Sequence, residues 1–420
     1  MTSFLLQKLF DNQKRPGQRK RPRSQSKLCL EVLENRLVPS TLHVGSSPGE
    51  FTTIQAAVNA AHSNDTILVD PGTYTEQVII NNKGHARDNL KLEGSGQNST
   101  FINAPPLSNM TGFHAIVEVE NAQNVAIQNF TIEGPSSAAN SAQFYGIRVD
   151  NGSAIIVNNH ITKIEDTPFD GAQEGIAIRV GSATDGTTGG AVIARNLIDN
   201  YQKDGIEVDN TGSSAEIDHN TVIGEGPTAV IAQNGIQISR GATAVVNHNF
   251  ISSNEYTPQT VLATGILLYQ AGAVSVDHNT VSNNDIGIYD LGSHDNVVID
   301  HNRITGSTVN GITLVSTSGA RIDQNTTDNN GSSSSAFLGG GIALFLSTNN
   351  IIDHNTSNNN TGDGIFVDSG STGNTFSQNQ LRGNTRFDAE DQSTGTGTAG
   401  TGNTWTKNHG QTSDPSGLVS

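Results

Sequence analysis

The sequence predicts an all-β chain, a single-stranded parallel β-helix of about ten or more coils, on three observations. A Gly-Ile pair recurs, with Gly at 146, 175, 205, 235, 265, 287, 311, 341 and 364, at spacings of 29, 30, 30, 30, 22, 24, 30 and 23 residues (the pair at Gly175 opens IAIRV). Each is followed by an Asn in an x-Asn-x-apolar context, at Asn159, Asn196, Asn220, Asn249, Asn279, Asn302, Asn325, Asn355 and Asn379. Between them apolar and polar residues alternate. In GIEVD, Ile206 and Val208 point inward and Glu207 and Asp209 outward, by the period of two of a strand. Gly to Asn usually takes 13 to 15 residues and Asn to the next Gly 8 to 16, so one side of the coil is fixed and one loop varies.

Taken in order, residues 1–40 form a basic leader with 9 Lys/Arg against 3 acids. The leader lacks the apolar core of an ordinary secretory signal. Its last part, LEVLENRLVPS (Leu30 to Ser40), resembles an LE-x-LE-x-R-x-x-P segment found on many exported bacterial proteins, which implies an extracellular or cell-surface location. Cys29, the single cysteine, permits no intrachain disulfide. A short helix is expected from Thr53 to Ala61, with Thr52 or Thr53 as cap and Ile54, Ala57, Val58 and Ala61 on one face. Strands TILVD and EQVII follow around Pro71-Gly72. The whole stretch FTTIQAAVNAA…DTILVDPGTYTE resembles the entry segment of right-handed parallel β-helix proteins of the pectin-esterase and pectate-lyase superfamily, where the helix caps the open end. The repeats from Gly146 onward are similar to the broad β-helix repeat family that includes NosD-type proteins and probable pectate lyases. That resemblance implies right-handedness.

The domain runs over about residues 41–390, with Asn129 (AIQNFTI) supplying one earlier coil and an insertion, ATDGTTGG, in the coil from Gly175. Each Asn suits a left-handed bend, and stacked Asn side chains can satisfy one another's amides. Residues 391–420 are rich in Gly, Thr and Ser and are expected to form a mobile tail, or a cap in which Trp405 folds over the last coil.

Beyond residue 40 the chain holds 14 Lys/Arg and 37 acids, a net charge of −23. That balance excludes nucleic acid as a partner, because phosphate binding needs Lys and Arg to replace counterions. No apolar run is long enough for a membrane span. The expected partner is a polysaccharide, met by a monomeric chain.

The outward positions after each Gly-Ile form two columns. One reads Arg148, Ala177, Glu207, Gln237, Leu267, Tyr289; the other reads Asp150, Arg179, Asp209, Ser239, Tyr269. Acidic and aromatic loops flank them, whereas later coils present Thr313, Ala343 and Phe366. In family enzymes the groove runs along one such sheet, and the resemblance implies roles. Arg179, Lys203 or Arg240 would hold or deprotonate a uronate sugar. Arg148, Glu207, Gln237, Tyr269 and Tyr289 would bind the chain, and Asp150 or Asp209 would hold calcium. β-Elimination beside a carboxylate needs such a base and such a cation. The competing reading is structural: Arg179 placed between Asp150 and Asp209 describes a cross-strand ion-pair ladder.

A second constellation is Asp-His-Asn, at Asp218-His219, Asp277-His278, Asp300-His301 and Asp353-His354, with His248 matching. Zinc needs convergent ligands, and stacked side chains run parallel, so these residues are read as repeat architecture. Alternation turns the His rings inward and the bend at Asn turns them outward; both orientations stay open. IDHN also resembles the W-I-D-H of pectate lyases, but its repetition assigns it to the coil. The signature motifs of pectin esterases, polygalacturonases and alginate epimerases are missing, and the R-x-P-x-x-R of pectate lyases is missing from the repeats. Two readings remain: a lyase on a uronate-containing polymer, and a non-catalytic carbohydrate-binding or structural solenoid.

Overall fold

The computed structural model describes residues 38–134, 143–332 and 339–420. The leader up to residue 37, Cys29 included, lies outside them. Each turn of the solenoid contributes one strand to each of three parallel sheets, here called I, II and III in the order in which the chain visits them from Gly146. They hold 13, 14 and 12 strands. Sheet I carries the Gly-Ile strands, among them Tyr145–Asp150, Asp204–Asp209 and Asn234–Ser239.

The core is a set of aligned apolar rows. Ile206, Ile236, Ile266, Ile288, Ile312, Ile342 and Ile365 stack coil on coil with no solvent exposure, facing similar rows from the other two sheets. The recurrent Gly is explained by close approach. A Cβ on Gly235 would stand 2.5 Å from Ile251 Cγ2 and 2.6 Å from the Gly265 carbonyl oxygen, inside van der Waals contact.

The Asn residues line the corner between sheets II and III and are buried. Asn249 Nδ2 donates to Asn279 Oδ1 at 3.0 Å and to the Ile217 carbonyl at 2.8 Å, and the Asn249 amide donates to the same Asn279 Oδ1 at 2.9 Å. The pattern runs from Asn159 through Asn379 to Asn408. One expectation is corrected. The left-handed residue is the one before each Asn: Asn158, His219, His248, His278 and His301 have φ between 52° and 55°. The bend thereby sends that side chain out and its Asn in. At the earlier coil Asn129 itself is left-handed (φ 65°), and Phe130 takes the interior place, so Asn129 does not belong to the ladder.

Helix α1 (Ile54–Ala60) closes the N-terminal end. Thr53 Oγ1 accepts the Ala56 amide, and both oxygens of Glu76 accept the amides of Ile54 and Gln55 at 2.8 Å. A carboxylate there satisfies orphan donors and complements the helix dipole. At the other end the solenoid passes the boundary expected at residue 390. Thr404–Thr406 pairs in parallel with Thr375–Ser377, and Ser413–Asp414 with Ala389–Glu390. Trp405 stacks on Phe376 at 4.0 Å and donates Nε1–H to Asp391 Oδ2 at 2.8 Å. The residues after 391 are therefore a packed cap rather than a mobile tail.

Candidate functional site

The candidate site is the outer face of sheet I. Register decides what lies on it. Arg148 pairs with Arg179, and Arg179 with Glu207. The coil at Gly175 is thus displaced by two residues from its Gly-Ile match, and Ala177-Ile178 occupies the Gly-Ile place. Arg179 consequently moves from the column of Asp150 and Asp209 to the column of Glu118, Arg148, Glu207, Gln237, Leu267, Tyr289 and Thr313. The second column keeps Asp150, Asp209, Ser239 and Tyr269, with Glu120 before them.

Two walls rise beside this face. On the side of sheet III, Gly226–Thr228 pair with Asn254–Tyr256 beyond the end of the regular coil. On the side of sheet II, the insertion folds back on itself through a bridge between Ser182 and Thr187.

Between the walls the charged groups pair with one another. Arg148 is fully buried; it binds Asp150 through Nε and Asp185 through Nη2 at 2.7 Å, with its guanidinium 3.5 Å from the centre of the Phe113 ring. Arg179, 8% exposed, binds Glu207 at 2.9 Å and Asp209 at 3.3 Å. Arg240 Nη1 reaches both oxygens of Asp209 at 3.0 Å, and Ser239 donates to the same carboxylate at 2.8 Å. Gln237 Nε2 donates to Glu207 Oε1 at 3.1 Å.

The electrostatics follow from burial against these partners. Burial acts to raise the Asp209 pKa, yet the Ala183 amide, Ser239 and the two guanidiniums hold it below the usual carboxylate range. For Glu207 burial wins over Arg179 and pushes the carboxyl up to about 7. Glu118 also rises to about 7, through burial and then the nearby Glu120 and Asp150. Burial acts to lower Arg179, but Glu207, Tyr145 and Asp209 outweigh it, so the guanidinium stays protonated.

Sheet I therefore brings together Arg148, Asp150, Arg179, Glu207, Asp209, Gln237 and Arg240. Lys203 turns away from this network: its Nζ donates to the Ala232 carbonyl at 2.7 Å. Tyr269 and Tyr289 continue the columns, half-buried, one and two coils beyond that of Gln237. Asp150 and Asp209 are filled by guanidinium, hydroxyl and amide donors. Among the described residues, neither belongs to a convergent group of three His, Cys, Asp or Glu ligands. Sequence reasoning missed Glu118, Phe113 and Asp185. AIVEVE lacks the Gly-Ile marker, although its alternation signalled an earlier coil with two outward carboxylates. Asp185 sits in the insertion, where no period applies.

Three stacked parallel sheets, an interior Asn ladder and a helical end cap define a right-handed parallel β-helix. The right-handed β-helix region model matches residues 234–409. The chain belongs to the family described as "Protein of unknown function (DUF1565)", whose model matches residues 41–289. The protein YwoF of Bacillus subtilis (strain 168) is 22% identical over 300 residues, an alignment spanning 64% of this chain and 61% of that one. The Dettilon tailspike protein (gp208) superposes with a TM-score of 0.57 at 18% identity, covering 81% of this chain and 67% of the tailspike. The A-module of the mannuronan C-5 epimerase AlgE4 of Azotobacter vinelandii gives 0.50 at 13% identity, covering 86% and 94%. At these identities the likeness is one of fold. Among the described residues no helix is long and apolar enough to cross a membrane.

Proposed function

We propose that the chain is an exported polysaccharide-binding β-helix that lays a saccharide chain along the outer face of sheet I. The observation that carries this reading is the layered construction of that face. A floor of mutually paired Arg, Asp and Glu supports a half-exposed row of Gln237, Arg240, Tyr269 and Tyr289. Planar phenols and fixed hydrogen-bonding groups suit sugar rings, and a pre-organised floor limits the entropy lost on binding. The polymer class is a uronate-containing one, since Arg240, with 45% of its side chain exposed, is the accessible cation of the network.

The finer reading, calcium-assisted β-elimination of the pectate-lyase type, rests on one observation. Glu207, at about 7, can hold a proton near neutral pH beside Arg179. It requires calcium to replace the guanidiniums at Asp209 or Asp150 and Arg179 to give up its proton, because a protonated guanidinium takes up no other.

Affinity gels cast with mannuronan, pectate and a neutral glucan test the binding reading. The expected result is retardation by the uronate polymers, reduced in Arg240→Ala and Tyr269→Ala variants. Equal mobility in all gels would overturn it. Unsaturated sugar ends appearing with calcium, and vanishing in folded Arg179→Lys, would establish the lyase reading instead.

A further inference from the structure

The Asp-His-Asn repeats leave a feature on the opposite side of the molecule from the saccharide face. At the corner between sheets II and III the left-handed residue of successive coils points outward, and four coils in a row place histidine there. The rings of His219, His248, His278 and His301 stack at centroid distances of 4.9, 5.2 and 4.7 Å, within 9° of parallel. Asp218, Asp277 and Asp300 stand beside them: His219 Nδ1 is 2.7 Å and His248 Nδ1 3.9 Å from Asp218 Oδ1, and His278 Nδ1 is 2.6 Å from Asp277 Oδ1. The backbone does not demand histidine. Asn158, Arg195, Gln324, Gln378 and Lys407 adopt the same positive φ at the equivalent bend of other coils. A run of imidazoles with carboxylates is therefore a side-chain feature, separable from the fold.

We propose that this ridge binds divalent transition-metal ions, of which zinc is the representative, in two sites that each combine one carboxylate with two imidazoles from adjacent coils. The sites are Asp218–His219–His248 and Asp277–His278–His301, within each of which the ligand atoms lie within 4.8 Å of one another. Ligands on a tetrahedral zinc stand about 3.3 Å apart, so closure needs a movement of at most about 1.5 Å. The imidazoles are 38% to 54% exposed and able to make it. Parallel rings do not converge on a point as they stand. Loading turns one ring of each pair about its broad χ2 torsion and breaks the stack. Nitrogen donors select zinc, nickel or copper over calcium.

A third group points the same way. Asp323, one coil beyond His301, converges with Asp353 and His354 of the next coil. Asp323 is 5% exposed, and its Oδ1 has no hydrogen-bond donor, while His354 Nδ1 stands 3.8 Å from it. A buried carboxylate oxygen without a donor is costly, and a cation would satisfy it. With one imidazole and Arg321 bound to the other oxygen, this site is the weakest of the three.

The test is calorimetric titration of the untagged full chain with zinc chloride. Two ions should bind per chain in the micromolar range, and a third more weakly. His219→Asn with His248→Asn should remove one tight ion, and His278→Asn with His301→Asn the other. Asn158 and Gln324 already occupy the equivalent bend, so the Asn variants and a parallel Gln set should retain the wild-type circular dichroism and melting temperature. The proposal is overturned by the absence of saturable binding, by undiminished stoichiometry in either folded double variant, or by mole-for-mole displacement of zinc by calcium.

Discussion

Two ladders run along this solenoid, and they are built on opposite terms. The ladder at the corner of sheets II and III uses one neutral residue, repeated at every coil from Asn159 to Asn408. Each amide gives to the next what it receives from the last. The ladder on the face of sheet I is made of unlike charges over the coils from Glu118 to Arg240, and no two of these coils are alike. Towards the C-terminus its column reads Thr313, Ala343 and Phe366, and then Glu390, which Arg386 ties to Asp363 in a smaller charged group. The first ladder follows from stacking alone: an amide carries donor and acceptor, so identical residues satisfy one another indefinitely. The second cannot follow from stacking, because identical charges repel. Each of its coils has to be specified separately. Such local specification is what a binding surface needs and a scaffold does not.

Substitutions can break this contrast. The largest expected effect is in the charged ladder. Arg148→Ala leaves Asp150 and Asp185 without their guanidinium, and Asp150 is 1% exposed. Loss of one partner of a buried pair costs on the order of 3–5 kcal/mol, to be read from urea unfolding. Arg148→Met combined with Asp150→Leu should recover much of that loss, since the pair as a whole has little net value. If the single variant is as stable as the wild type, the ladder is not the floor described here. In the neutral ladder, Asn279→Ala strips an acceptor from the Asn249 amide and side chain and a donor from the Val246 carbonyl. About 2–4 kcal/mol is expected from these buried, unpaired groups. No double substitution rescues it, because every member has two neighbours. That asymmetry in rescue distinguishes a pairwise ladder from a continuous one.

The two ladders also differ in how far they could be read from sequence. The Asn column was legible because its period is carried by residue identity. The Asn five places on in several coils, as in Asn249–Asn254 and Asn279–Asn284, signalled a second buried ladder that was overlooked. Which residue of the His-Asn pair turns left-handed was not legible, since both types tolerate that conformation. On sheet I the marker itself misled. Gly175-Ile176 matches the repeat in letters, but the chain places Ala177-Ile178 there. The registry is set by burying Ile178 and Val180 against Ile206 and Val208, and interior packing outranks a dipeptide. The two-residue slip moved Arg179 from one column to the other. The ion pair expected between Arg179 and Asp209 is present, whereas the pairing of Arg179 with Glu207 depends on the slip and was not legible. Asp185 was beyond reach because an insertion has no period to follow.

The smallest effect expected is one of pH, and it sharpens the contrast because the neutral ladder has nothing to titrate. Glu118 pairs in register with Arg148 and is buried. Burial first, then Glu120 and Asp150, raise its carboxyl to about 7 against the pull of Arg148 and Lys83. An acid whose folded-state pKa exceeds the unfolded value of about 4.5 binds its proton more tightly in the native chain. Its contribution is fully present below the unfolded value and is lost as pH rises through 7. The wild type should therefore lose up to about 2 kcal/mol between pH 5 and pH 8 through this group. Glu118→Gln, which is neutral at both pH values, should flatten that part of the profile and be the more stable protein at pH 8. Parallel slopes for wild type and variant would show that Glu118 is ionised in the folded chain, and that Arg148 holds a third carboxylate.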